Sequence, residues 1–172
     1  MRINRFALAI AMGLGLVLAG TANAEPTCHH VSGKYFLEPA PEDCSAIRCY
    51  VGDFTGAGIL SGKVRIEIKG VVLGSNLPGE TVVWAYSAIT TITTLSHGDV
   101  VYENFGFMVD DPVSDDPLQL FQTDTALIVS GTEDFESASG RNTSMGLAVI
   151  DPKTGFPLQL SGDVSGQLCL EK

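Results

Sequence analysis

Val64-Arg65-Ile66-Glu67-Ile68-Lys69 alternates apolar and charged residues without a break. Successive side chains of an extended strand point to opposite faces, so this hexapeptide reads as a strand with one face in a core and the other in water. The same period of two recurs on both sides of it, punctuated by Gly, Pro and Asp, and predicts strands over residues 28–36, 47–60, 62–72, 81–95, 100–109, 118–130, 139–150 and 156–170. Ser96-His97-Gly98-Asp99 and Asp151-Pro152-Lys153-Thr154-Gly155 carry the residues that tight turns require. Eight strands in sequential hairpins close a small antiparallel barrel, and closure removes the exposed edges that invite aggregation. The fold class is therefore all-β, a single calycin-like eight-stranded barrel, with a β-sandwich as the runner-up.

The stretch 81–95 tests this reading, because Ile89, Ile92 and Leu95 also fit helical spacing. Threonines and other β-branched residues crowd the same segment and favour a pleated surface, so a bulged strand is expected there. Pro-Leu-Gln-Leu occurs at 117–120 and again at 157–160, each time after an Asp-containing turn, and reads as two similar strand starts.

Upstream of the strands, Arg2 and Arg5 precede an uncharged apolar run over 6–19 and then Ala22-Asn23-Ala24. That pattern predicts a signal peptide over 1–24, of bacterial form, cleaved after Ala24; the run is shorter than the roughly 20 residues that span a bilayer. With no cysteine at the cleavage point, no lipid anchor is expected, and the product is read as secreted, periplasmic or extracellular. The remainder, 25–172, suits one domain. All 20 acidic residues but only 8 of the 10 Lys and Arg lie in it, a formal charge of −12, which disfavours nucleic acid and anionic membranes as partners. Cys28, Cys44, Cys49 and Cys169 form an even set in an exported chain and predict two disulfides. Three pairings are open; neighbouring terminal strands would bring Cys169 to the N-terminal group. No Cys-x-x-Cys spacing supports thiol redox chemistry.

The segment Ser130-Gly131-Thr132-Glu133-Asp134-Phe135-Glu136-Ser137-Ala138-Ser139-Gly140 resembles the Gly-Gly-Thr-Gly-x-Phe-x-x-Ala-x-Gly signature of the allene oxide cyclase and dirigent barrels. The likeness runs loosely from Tyr102 to Gly166 and includes Phe156-Pro157-Leu158 and Leu160-Ser161-Gly162; Ser130 and Glu133 stand where the signature has glycines. It implies an eight-stranded antiparallel barrel in which this segment joins two long strands, and it makes an isomerase or cyclase activity one candidate. The cyclase pocket residues, a carboxylate, an Asn-held water and a buried Pro-containing edge, fall on no matching positions here. The residues themselves suggest tight turns at Gly131 and Gly140 with Phe135 plugging the barrel between them.

Residues able to carry chemistry are few. Val101, Phe105, Phe107 and Val109 share a strand face with Glu103, and a carboxylate aimed into an apolar barrel would have its charged form disfavoured, as an acid or base requires. The competing reading leaves Glu103 solvated where that face packs loosely. Trp84 and Tyr86 are expected to line a ligand pocket with Phe105 and Phe107, or else to be plain core. Cys28-His29-His30 looks like a metal cluster, but adjacent strand residues point to opposite faces and a disulfide consumes the sulfur. His97 lacks a nearby partner in sequence, and the aspartates around Ser114 do not follow a known calcium-loop spacing, so no metal is expected. Asn142-Thr143-Ser144 has the form of a glycosylation sequon. No phosphate-binding loop, nucleophile elbow or metalloprotease motif is present, and no cofactor is expected. Three functions fit: a binding protein for a small apolar molecule held in the barrel, an isomerase or cyclase using Glu103, and a structural or interaction domain with a filled interior.

Overall fold

The computed structural model describes residues 25–40, 44–74, 83–111 and 113–171; the expected leader lies outside them. Eight strands follow in chain order: β1 (Thr27–Pro39), β2 (Arg48–Gly56), β3 (Gly62–Leu73), β4 (Trp84–Thr94), β5 (Asp99–Asp110), β6 (Gln119–Gly131), β7 (Ser139–Ile150) and β8 (Pro157–Leu170). Each pairs antiparallel with its sequence neighbours, and β8 returns to pair with β1, so the sheet is a closed barrel and not a sandwich.

Strict alternation sets the interior. On β4 Tyr86, Ala88, Thr90, Ile92 and Thr94 are all buried, while Ile89 turns outward and Leu95 stands exposed in the turn that follows. The helical spacing of those apolar residues is therefore incidental. The bulge expected in this strand lies opposite it, on β3, where Lys69 is the extra residue between Ile68 and Gly70. Both Pro-Leu-Gln-Leu segments do begin strands: Leu120 and Leu160 point inward and flank Ala148 across β7.

One facing is the reverse of the expected one. On β5 the inner row is Val100, Tyr102, Asn104, Gly106 and Met108; Glu103 is exposed, and Phe105 and Phe107 are 55% and 45% exposed on the outer surface. The reason is steric. The inner face of β5 must leave room for the Tyr86 ring arriving from β4, and a Cβ at position 106 would stand 2.7 Å from Tyr86 Cζ. Only glycine fits there, so the richer apolar row turns outward, where it joins Leu127 and Val129 of β6 and Met145, Leu147 and Val149 of β7.

The barrel is stoppered at one end by Phe135, from the 3-10 turn Glu133–Phe135, together with Leu60 of a second 3-10 turn, Gly58–Leu60, and Val100 and Leu168, all buried. At Gly131 a Cβ would lie 2.3 Å from the Phe135 carbonyl oxygen, so the turn needs a glycine to seat the plug. The other end is closed by Tyr50, Trp84, Met108 and Phe156, with the Arg48 guanidinium 5.9 Å from the centre of the Phe156 ring. Cys28 bonds to Cys169 at opposed positions of β1 and β8, across the seam where the sheet closes, and Cys44 bonds to Cys49.

Candidate functional site: a buried carboxylate inside the barrel

Three adjacent rows of inward residues, each crossing the sheet, build the centre of the barrel. The middle row runs Tyr86, Gly106, Asp124, Ser144, Val164 from β4 to β8. On one side of it lie Met108, Gln122, Gly146, Gly162 and Tyr35, and on the other Ala88, Asn104, Ala126, Asn142 and Gly166. Glycines stand next to the large side chains. Tyr86 crosses Gly106 to reach Asp124, and Tyr35 comes from the opposite side over Gly162 and Gly146, where a Cβ at either glycine would be 2.7 Å from its hydroxyl. Small residues beside large ones fit this lining to the narrow bore of an eight-stranded barrel.

Asp124 is only 8% exposed. The Tyr86 hydroxyl donates to its Oδ2 at 2.9 Å and Asn104 Nδ2 to its Oδ1 at 3.3 Å, while Gln122 Nε2 donates to the Tyr86 oxygen at 2.9 Å and lies 3.5 Å from Oδ2. The directions are self-consistent. Each amide turns its N–H toward an acceptor, which leaves Asn104 Oδ1 and Gln122 Oε1 facing elsewhere, buried and unpartnered. Burial, and after it the Asp124 charge, holds the Tyr86 phenol well above its ordinary pKa, and the same two causes raise Tyr35. Burial raises Tyr102 to about 12. The tyrosines are thus neutral hydroxyls at any physiological pH.

Around this carboxylate lies a cavity of about 60 Å³. Its apolar wall includes Leu37, Phe54, Val64, Ile66, Ile92 and Val164, and its polar wall is Asp124 with Asn104, Gln122, Asn142, Ser144, Thr90, Tyr35 and Tyr102. Seven of those polar side chains carry a buried oxygen with no hydrogen-bond partner: the hydroxyls of Tyr35, Tyr102, Thr90 and Ser144, and the amide oxygens of Asn104, Gln122 and Asn142. Ser144 faces the Tyr35 hydroxyl and Asn142 the Tyr102 hydroxyl, but neither pair reaches hydrogen-bond geometry. Buried polar groups are nearly always satisfied in native proteins, and each orphan costs about 1–3 kcal/mol. Seven such oxygens surround one void.

Of the residues expected to form the site, Tyr86 alone enters it. Trp84 lines a smaller void of about 30 Å³ on the far side of Tyr86, with Tyr50, Met108 and Phe156. Glu103, Phe105 and Phe107 lie outside the barrel wall. All four cysteines are in disulfides. His29 and His30 are exposed on β1, and His97 Nδ1 sits 2.7 Å from Asp134 Oδ2 near the plugged end. Asp111 and Asp116 accept from the backbone N–H groups of Val113 and Leu118, so they serve their own loop. Among the described residues no group of three or more His, Cys, Asp or Glu is placed to hold a metal ion. Asn142 faces the interior, 5% exposed, and the folded barrel does not present it to a glycosylating enzyme.

No family model, curated protein or solved structure matches the chain. The fold and the interior are therefore the grounds for function. What the sequence reading missed is Asp124 and its ring. The signal was there: Gln122, Asp124, Asn142, Ser144 and Asn104 all fall on inward parities once one strand is registered. It was masked because β5 and β6 are apolar on both faces, so counting apolar residues chooses the wrong side.

Proposed function

We propose that this barrel binds a small molecule in its interior, with an apolar body against Leu37, Phe54 and Ile92 and a polar group at Asp124. The observation that carries the reading is the ring of unpartnered buried oxygens around a void beside a buried carboxylate. A void of about 60 Å³ is well below the roughly 300–1,000 Å³ of drug-sized pockets, so the guest has few heavy atoms. The polar wall departs from the wholly apolar ligand expected of a barrel lined by phenylalanines. Export of the protein belongs to the same reading, and the two disulfides suit an oxidising compartment.

The isomerase or cyclase reading, whose warrant is the signature resemblance around Gly131 and Phe135, would have to use Asp124 in place of Glu103. Its most direct proton partner, Tyr86, gives up its proton only far above its ordinary pKa, which makes it a positioning donor and a poor acid. Native mass spectrometry of the protein purified from an exporting host tests the binding reading. An extra mass released on denaturation, and missing from the Asp124→Asn protein, is the expected result. An intact mass equal to the denatured mass, in protein whose two disulfides are formed, supports the filled-interior reading instead.

A further inference from the structure

We infer that the interior guest is a small organic cation, a primary ammonium on a short apolar body, an assignment that rests on the interior-binding reading and adds the ligand's charge and donor count. A carboxylate offers about four acceptor positions, and Asp124 receives donors from Tyr86, Asn104 and, at longer range, Gln122. All three are neutral. None of the described residues forms an ion pair with Asp124, although the chain has exposed pairs elsewhere, such as Lys34 with Asp163. A buried carboxylate with hydrogen bonds but no counter-charge is the half of an ion pair that a cationic guest would complete.

The unpartnered atoms point the same way. Asn104 Oδ1, Gln122 Oε1 and Asn142 Oδ1 can only accept, and the hydroxyls of Tyr35, Tyr102, Thr90 and Ser144 can accept as well as donate. The complementary group is one that donates several hydrogen bonds and accepts none. An ammonium donates three and accepts none; an alcohol donates one, and a carboxylate guest would set its charge against Asp124. The apolar side of the cavity suits a short alkyl chain, and its volume limits the guest to a few heavy atoms. Outside, the formal charge of −12 beyond residue 24 draws cations toward the barrel and repels anions.

The test is calorimetric titration of the disulfide-intact protein with propylammonium, 1-propanol and propionate, on the wild type and on Asp124→Asn. The assignment predicts that propylammonium binds wild type at least tenfold more tightly than either comparison compound, and that Asp124→Asn loses at least tenfold in ammonium affinity. The wild-type ranking needs no variant, so its failure overturns the assignment even if Asp124→Asn does not fold. Equal or tighter binding of 1-propanol overturns the cation assignment and leaves interior binding standing. Ammonium binding that persists undiminished in folded Asp124→Asn is attraction to the acidic surface and also overturns it. If none of the three binds, the cation assignment fails, and the co-purified mass decides separately whether the interior holds another guest.

Discussion

At position 106 the β5 backbone passes beneath the Tyr86 ring, and a Cβ would meet Asp124 Cβ at 2.5 Å as well as Tyr86 Cζ at 2.7 Å. Gly106→Ala is therefore expected to push Tyr86 off Asp124 and destabilise the protein by about 1–3 kcal/mol, read from the denaturant midpoint. A second residue-scale test lies at the plug. Glu133 has a φ of +52°, in the left-handed region that favours glycine, and it occupies one of the two signature positions where a glycine is missing. Glu133→Gly should raise stability by about 1 kcal/mol and Glu133→Val should lower it. The need for glycine at 131, and Phe135 as the plug, were legible in the sequence because they follow from a local turn. Gly106 was not, since its partner Tyr86 is distant in sequence and only strand register brings them together.

At the scale of the strand, β5 shows where pattern reading stops. Its two faces are Val100, Tyr102, Asn104, Gly106, Met108 and Val101, Glu103, Phe105, Phe107, Val109, and by apolar content the second is the better core. The barrel chooses the first, because inward positions must share a fixed bore with Tyr86, Tyr35 and the Asp124 ring, whereas the outer face has no such limit. Adjacent residues test the choice. Met108→Ala should cost about 2–5 kcal/mol, as a buried side chain does, and Phe107→Ala less than half as much. The reverse order would return Phe107 to the core. By contrast the faces of β3 and β4 were readable, since residues 64–69 of β3 alternate apolar with charged and β4 buries every inward position from Tyr86 to Thr94, although the bulge expected in β4 falls on β3 at Lys69.

For the whole molecule, strand count was legible because turn residues separate the strands, and closure was expected from a count of eight; closure in turn lets Cys169 reach the N-terminal cysteines, where its partner is Cys28. The disulfide between them closes a span of 141 residues, and chain entropy assigns it roughly 5 kcal/mol against roughly 2 for the span of 5 between Cys44 and Cys49. Replacing the first pair with serines should thus lower the thermal midpoint more than replacing the second. All four tyrosines are buried with raised pKa values, Tyr50 and Tyr102 to about 12. A neutral form favoured by folding stabilises fully below the unfolded value near 10, and that stability is lost as pH rises through the folded values. For Tyr50 and Tyr102 the loss is about 2–3 kcal/mol each. Ultraviolet titration should accordingly show almost no tyrosinate at pH 10 in folded protein and all four appearing together as it unfolds in stronger alkali.

If the interior beside Asp124 is a binding site, crystals of protein purified from its exporting host hold a guest there, and the electron density beside Asp124 shows it. One continuous feature of a few heavy atoms, in contact with Asp124 and with the amide oxygens of Asn104, Gln122 or Asn142, is the predicted result. Separate water peaks alone, or side chains closing the void and pairing those oxygens with one another, would contradict it.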